Sequence, residues 1–167
     1  KNPKFTLITV VLNNKELLEK TIKSVLDQNF KNFEYIIIDG GSKDGTLEII
    51  KKYNDKLDYW VSEKDEGIYD AFNKGMELSR GEYIGIINSD DTYRPNALKI
   101  ISNYLETNKH VDFIFGSVQK RWGLLSGYKP WKIYFSWGFY SSHSTGFFIK
   151  SSAAEKVGYY NLKYKYH

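Results

Sequence analysis

Short, uncharged β-branched runs alternating with segments of helical period constrain this chain more than any other feature. Phe5-Thr6-Leu7-Ile8-Thr9-Val10-Val11-Leu12 has the pattern of a strand buried on both faces of a parallel sheet. Leu17, Leu18, Ile22, Val25 and Leu26 then recur along one face of a helix. Tyr35-Ile36-Ile37-Ile38 repeats the strand pattern and ends at Asp39. A turn from Gly40 to Gly45 leads into a second helix near Thr46, with Leu47, Ile49, Ile50 and Tyr53 inward. Further strands are expected over 57–62, 83–87 and 111–118, and helices over 69–79 and 95–105. Pro95 suits a helix start, where its missing N–H is harmless. Such alternation requires right-handed crossovers, hence an α/β fold with a mostly parallel twisted sheet and helices on both faces.

After Lys120 the alternation stops, and the aromatic stretch from Trp122 to Tyr140 has no clean period. The expected organisation is an α/β part over 1–118, followed over 119–167 by the incomplete start of a second part of the same domain. A chain of 167 residues supports one core rather than two.

Charge divides the chain in the same place. Residues 119–167 carry eight Lys/Arg against the single acid Glu155, whereas residues 1–118 carry sixteen basic against nineteen acidic side chains. An acidic front half argues against nucleic acid as a partner; the basic back half suits an anionic acceptor or a membrane surface, or is simply a solvated face. With no cysteine there is no disulfide and no thiolate metal site, which fits a reducing compartment. The longest uncharged stretch, 133–149, is too polar and slightly too short to span a bilayer. No signal-peptide pattern precedes Phe5, and because Lys1 is not an initiator methionine, at least one residue is expected to have been trimmed.

Ligands of open α/β sheets gather at the carboxyl ends of the strands. Two strands here end in acids, one at Asp39 and one at the pair Asp90-Asp91, flanked by Asn88 and Ser89. Aspartate also starts turns and caps helices, and that alternative stands beside the functional one for each. Adjacent carboxylates in a loop suit a hard divalent cation, Mg²⁺ or Mn²⁺, that also binds phosphate oxygens, which points to nucleotide chemistry. Competing motifs are absent. There is no G-x-x-x-x-G-K-[ST] loop, and Gly40, Gly41 and Gly45 follow the second strand without the G-x-G-x-x-G spacing. His110, His143 and His167 are too scattered for a zinc site, and there is neither a cysteine nucleophile nor a G-x-S-x-G elbow.

Four stretches carry a resemblance in their order and spacing over roughly the first hundred residues. They are Ile8-Thr9-Val10-Val11-Leu12-Asn13-Asn14; Ile38-Asp39-Gly40-Gly41-Ser42-Lys43-Asp44-Gly45-Thr46; Asp65-Glu66-Gly67-Ile68-Tyr69-Asp70-Ala71-Phe72-Asn73-Lys74-Gly75; and Gly81-Glu82-Tyr83-Ile84 through Asn88-Ser89-Asp90-Asp91. Together they resemble the family 2 glycosyltransferases of GT-A fold. The resemblance implies an inverting hexosyltransferase-type enzyme acting in surface polysaccharide or glycoconjugate synthesis. Such an enzyme moves a sugar from a nucleoside-diphosphate sugar, with a UDP-sugar favoured, to a hydroxyl of a glycan or lipid-linked acceptor, using Mg²⁺ or Mn²⁺. In that reading 1–118 is the nucleotide-sugar-binding part and 119–167 begins the acceptor side.

The same resemblance implies roles for individual residues. Leu12, Asn13 and Asp39 would hold the base, with Asp39 accepting from its ring N–H. Asp65, Gly67 and the segment to Lys74 would line the nucleotide pocket, with Lys74 at a phosphate. Asp91 is the first choice for direct metal coordination, and Asp90 for the ribose or a second metal contact. Lys74 also reads as a solvated helix lysine, and Asp70 and Asn73 as a polar helix face.

The sequence departs from the family at Leu12, where many members carry an aromatic that stacks on the base. It departs again at Asn88, a neutral donor where the signature usually starts with Asp. His143 through Ile149, followed by Lys156-Val157-Gly158-Tyr159-Tyr160, resembles the acceptor-side stretch, with His143 and Trp122 as acceptor-side candidates. The acidic motif that holds the general base would follow a few residues beyond His167, so the base is expected outside this chain, which is expected to be truncated at its C-terminus. Two other functions stay open: a non-catalytic nucleotide-sugar-binding module, and a sugar-nucleotide pyrophosphorylase. The latter normally needs a Gly-rich first loop with Arg, and the residues after Leu12 have neither. The expected location is cytoplasmic, with peripheral contact on the inner face of the membrane through the basic back half.

Overall fold

Strand β1 (Phe5–Val11) is buried along its whole length, and the other elements are arranged around it. The structure is a computed structural model that describes residues 2–120, 123–125 and 144–163. β2 (Phe33–Asp39) and β4 (Tyr83–Ile86) flank β1 in parallel, and β3 (Tyr59–Ser62) adds to β2 in parallel. β8 (Phe147–Lys150) then pairs antiparallel with β4 and with β5 (Phe113–Phe115). The result is a six-stranded sheet in the order β3-β2-β1-β4-β8-β5. A separate antiparallel pair, β6 (Val118–Lys120) and β7 (Gly123–Leu125), lies outside it.

Alternation along the strands distributes the helices. Phe5, Leu7, Val11, Tyr35 and Ile37 face one side, where they meet Leu18, Ile22 and Val25 of α1 (Lys15–Leu26) and Ile50 of α2 (Thr46–Lys52). Leu98 and Leu105 of α4 (Ala97–Thr107) join the same core. Ile8, Val10, Ile36, Ile38 and Ile84 face the other side, against Ala71 and Phe72 of α3 (Ile68–Glu77) and Ala154 of α5 (Ser151–Val157). The expected layering is therefore present. Leu18, Ile22 and Val25 are each fully buried, and truncating such a side chain to Ala in a close-packed core costs about 2–5 kcal/mol. Gly75 lets α3 lie close on β1, since a Cβ there would strike Ile8 Cγ2.

β8 is the main departure from the expected pattern. Phe147-Phe148-Ile149 read from the sequence as part of an acceptor-side stretch, and the structure places it inside the central sheet. Gly85 makes the room, since a Cβ there would fall 2.5 Å from the Phe148 ring. That ring packs edge-on against Phe5 with centroids 5.6 Å apart. One sheet is thus shared by the 1–118 and 119–167 spans. The strand expected over 111–118 is split into β5 and β6. Trp122, His143 and most of the aromatic stretch between them lie outside the described residues.

The amino ends of the strands are closed by a polar knot. Glu34, 2% exposed, accepts from Thr6 Oγ1 at 2.5 Å, Arg80 N at 2.6 Å and Arg80 Nε at 2.8 Å. Thr6 Oγ1 in turn accepts from Gly81 N at 2.8 Å. Among the described residues no helix is long and apolar enough to cross a membrane.

Candidate functional site

Because β1, β2 and β4 are parallel, their following loops emerge on one rim of the sheet, and hydrogen bonds tie these loops together. Asn13 N–H donates to Ser42 Oγ at 2.7 Å, and Asn13 Oδ1 accepts from Lys43 N at 2.8 Å. Asn13 makes this bridge from a left-handed conformation with φ of 50°, which asparagine tolerates better than most residues. Asn14 reaches both neighbours: its N–H donates to Thr46 Oγ1 at 3.0 Å and its Nδ2 to Ser89 Oγ at 3.0 Å. Asp44 lies between the starts of two helices and accepts from the first N–H of each, Lys15 N and Thr46 N, both at 3.0 Å. The Thr46 hydroxyl, and after it the Lys15 N–H, hold the Asp44 carboxyl below its usual range.

A cleft of about 430 Å³ opens at this rim. Its walls include Leu12, Asn13 and Asn14 after β1, Asp65, Gly67 and Ile68 at the start of α3, and Asn88, Ser89 and Asp90 after β4. Leu12 is 56% exposed and Ile68 43%, so an apolar ring entering the cleft would cover both. Gly67 has φ 118° and ψ 177°, a region open essentially to glycine alone, and it turns the chain into α3. Its N–H donates to Asp65 Oδ1 at 3.0 Å. Gly40 has no side chain where Asp65 stands, since a Cβ there would lie 2.5 Å from Asp65 Oδ2. The first turn of α3 faces the cleft through Ile68 and Ala71, and its positive dipole end favours an anion.

The expected site residues do not all stand in this cleft. Leu12, Asn13, Asp65, Gly67 and Asp90 line it. Asp39 lies behind it, fully buried at the end of β2, in register with Val11 and Ser62. Its carboxylate accepts from Ser42 N at 3.1 Å, from the Ser42 hydroxyl, and from Ser62 Oγ at 2.5 Å. The turn-starting role is therefore realised here, and the donors are all neutral. Among the described residues no cationic side chain is paired with Asp39. Lys74 is held by Glu63 at 2.8 Å and Asp70 at 3.1 Å, and Glu63 above all raises its pKa. It does not reach the cleft wall.

Asp91 is partly buried beside the cleft. Its Oδ2 accepts from the Thr145 hydroxyl and, at 3.3 Å, from Asn88 Nδ2. Its backbone carbonyl accepts from Thr21 Oγ1 at 2.7 Å. Among the described residues no three His, Cys, Asp or Glu side chains converge. The residues that could hold a cation are the sequence neighbours Asp90, which lines the cleft, and Asp91 beside it, with the Asn88 amide bonded to Asp91. This set is too small to enclose a cation but suits a hard one whose remaining oxygens come from phosphate and water. Asn73, read as a polar face, clasps a distant segment instead. Its amide donates to Tyr160 O and accepts from Tyr160 N, both at 2.9 Å, while the Tyr160 ring stacks on Tyr69 at 5.2 Å.

Sequence reasoning did not single out Asn14 as part of the site, whereas Ile68 and Ala71, which line the cleft, fall in the Gly67–Lys74 segment expected there. Asn14 carried a local signal, a second amide directly after a buried strand. Thr145 had none, since it reaches Asp91 from 54 residues away.

The fold is α/β of GT-A type, with a cleft at the carboxyl rim of its parallel strands. The description of the glycosyl transferase family 2 matches residues 6–161, and the chain belongs to that family. A PGL/p-HBAD biosynthesis glycosyltransferase from Mycobacterium bovis is 29% identical over 130 residues, covering 72% of this chain and 51% of that protein. The crystal structure of S. aureus TarS 1–349 superposes with a TM-score of 0.75 at 21% identity, covering 98% of this chain and 52% of that one. The same fragment in complex with UDP-GlcNAc gives 0.68 at 19% identity, covering 92% and 47%. The mannosyltransferase PcManGT from Pyrobaculum calidifontis, in complex with GDP-Man and Mn²⁺, gives 0.76 at 18% identity, covering 97% and 48%. The chain spans about half the length of the mycobacterial relative.

Proposed function

We propose that this chain is the donor-binding part of an inverting glycosyltransferase that takes a nucleoside-diphosphate sugar, a UDP-sugar by preference, in surface polysaccharide or glycoconjugate synthesis. The observation that carries this reading is one cleft at the carboxyl rim, walled by the loops after β1 and β4 and the start of α3, that is lined by Asp90 with Asp91 partly buried beside it. Family membership and the nucleotide-sugar complexes of the two structural neighbours support it.

In this reading the base enters over Leu12, and Asp39 accepts from its ring N–H in place of one of the neutral serine donors that now hold its carboxylate. Asp65 and Gly67 shape the pocket wall, and the first turn of α3 turns its positive dipole end to the diphosphate. Asp90 and Asp91 hold Mg²⁺ or Mn²⁺, which when bound neutralises charge on the departing diphosphate. The acceptor hydroxyl of a glycan or lipid-linked acceptor forms its bond to the anomeric carbon as the bond to the diphosphate oxygen breaks. Its proton passes to a carboxylate acting as general base. Positioning and charge neutralisation supply most of the rate.

The test is a melting-temperature screen of UDP, GDP and dTDP with and without Mn²⁺, since a ligand bound to the native state raises stability by mass action. One diphosphate should raise the melting temperature more with Mn²⁺ than without, and Asp91→Asn should abolish that difference while the apo protein still melts cooperatively. Unchanged Mn²⁺-dependent affinity in that variant would remove the metal from the reading. Donor hydrolysis or transfer by a longer gene product separates the enzyme from a binding module.

A further inference from the structure

Among the described residues Thr21, Asn88 and Thr145 bond to Asp91, and Thr145 comes from the part of the chain that follows β1 to β5. Thr145 sits in the one-turn helix Ser144–Gly146 that leads into β8 and is 6% exposed. Its hydroxyl donates to Asp91 Oδ2, the oxygen that also accepts from Asn88 Nδ2.

The turn that carries Thr145 is fixed in place. Gly146 O accepts from Gly116 N at 2.6 Å. Directly after it, Phe147 pairs with Phe115, and Phe148 pairs with Gly85 and Ile114. Phe148 is 1% exposed, and its ring stacks on Tyr93 at 6.1 Å, two residues beyond Asp91. A hydroxyl on so constrained a backbone holds its acceptor oxygen in one place. Fixing Oδ2 fixes the plane of the carboxylate and the direction of its second oxygen.

We propose that Thr145 is a positioning residue for Asp91, orienting the carboxylate for a divalent cation shared with a nucleoside diphosphate. The inference rests on the function proposed above and extends it to a residue outside the four stretches that carry the family resemblance. Partners that orient a metal-binding carboxylate typically change metal affinity about 10–100-fold when removed. A hydroxyl serving only to fill space would be replaced without such an effect by a methyl of the same size.

Titration calorimetry of UDP and of GDP into the purified chain, with and without Mn²⁺, tests this on Thr145→Val and Thr145→Ser. The expected result is that Thr145→Val loses about 10-fold or more of the Mn²⁺-dependent gain in affinity, while Thr145→Ser, which keeps the hydroxyl, stays within about 3-fold of the parent. Affinity for the diphosphate without metal should be the same in all three. Should the valine variant lose its cooperative melting, Thr145→Ala repeats the test with the hydroxyl removed and no group added. An undiminished Mn²⁺ effect in Thr145→Val, or a serine variant as impaired as the valine one, overturns the inference and leaves the donor site standing. If the parent chain itself shows no Mn²⁺-dependent binding of either diphosphate, the inference and the function beneath it fall together.

Discussion

Strand β2 has a buried acid near each end, and the fold treats the two differently. At its amino end Glu34 pairs with Arg80, with the guanidinium 2.7 Å away, and takes further bonds from Arg80 N and Thr6 Oγ1. At its carboxyl end Asp39 is as deeply buried and, among the described residues, receives only dipoles, from Ser42 and Ser62. A buried carboxylate is costly unless paired or well hydrogen-bonded. The amino rim meets that cost with a permanent cation and becomes a structural joint. The carboxyl rim meets it with neutral donors, which a ligand N–H arriving from the neighbouring cleft would have to join or displace. Substitutions at the amino rim should therefore move stability, and those at the carboxyl rim should move affinity.

The largest expected effect is at Gly81. A Cβ there would strike the Thr6 backbone nitrogen and come within 2.6 Å of Phe5 C. Because backbone cannot yield as a side chain does, Gly81→Ala should cost about 3 kcal/mol or more in urea unfolding. An unperturbed midpoint would show that the joint is slack and that the contrast is overdrawn.

Glu34→Gln comes next. It keeps one acceptor for Thr6 or Arg80 N–H but gives up the charge-assisted bonds, for a loss of about 2–3 kcal/mol. Arg80, 68% exposed, can turn to water, so the loss stays below that of a fully buried pair. Diphosphate affinity measured on the folded protein should not change, and a parallel loss of affinity would merge the two rims into one functional unit.

Asp39→Asn should do the reverse. Removing a buried charge that no cation neutralises offsets the weaker bonds from Ser42 and Ser62, leaving stability within about 1 kcal/mol of the parent. Calorimetry should show UDP binding weakened about 10-fold, the loss of one hydrogen bond to a charged acceptor. A collapse of the fold with no separable binding defect would make Asp39 a turn residue only.

The smallest effect belongs to neither rim. Glu19 on α1 meets Lys52 and Tyr53 at the end of α2, both at 2.8 Å, and these bonds, Lys52 first, pull its pKa down to about 2. A folded pKa below the ordinary 4.5 makes the charged form stabilising above that value, and this stability drains away as pH falls from 4.5 towards 2. Glu19→Gln should flatten the melting-temperature decline across that window, with little change at neutral pH, because exposed pairs contribute little. An identical acid limb in the variant would leave the decline to other carboxylates.

Much of this could be read from the chain before any coordinates. The run from Phe5 to Val11, the helical spacing of Leu18, Ile22 and Val25, and the acids after β2 and β4 are local patterns, and periodicity follows backbone geometry directly. The parallel order of β1, β2 and β4 then placed the acids on one rim by topology. β8 escaped because an antiparallel strand slipped between β4 and β5 breaks the strand-helix rhythm that announces the others. Lys74 was legible as a helix lysine, but its capture by Glu63 and Asp70 depends on how the segment before α3 folds back. Asn73 looked like solvent-facing polarity and proved to be a clasp on Tyr160.

The sequence by itself determined the layers, the burial of β1 and the rim on which chemistry must sit, since those follow from periods of two and of 3.6 residues. Only the tertiary structure decided that Asp39 lies behind the cleft, that Asp90 lines it, and that Thr145 grips Asp91 across 54 residues. The physical reason is that a hydrogen bond depends on separation in space to within tenths of an ångström. Spacing along the chain sets that separation only within a single turn, helix or hairpin.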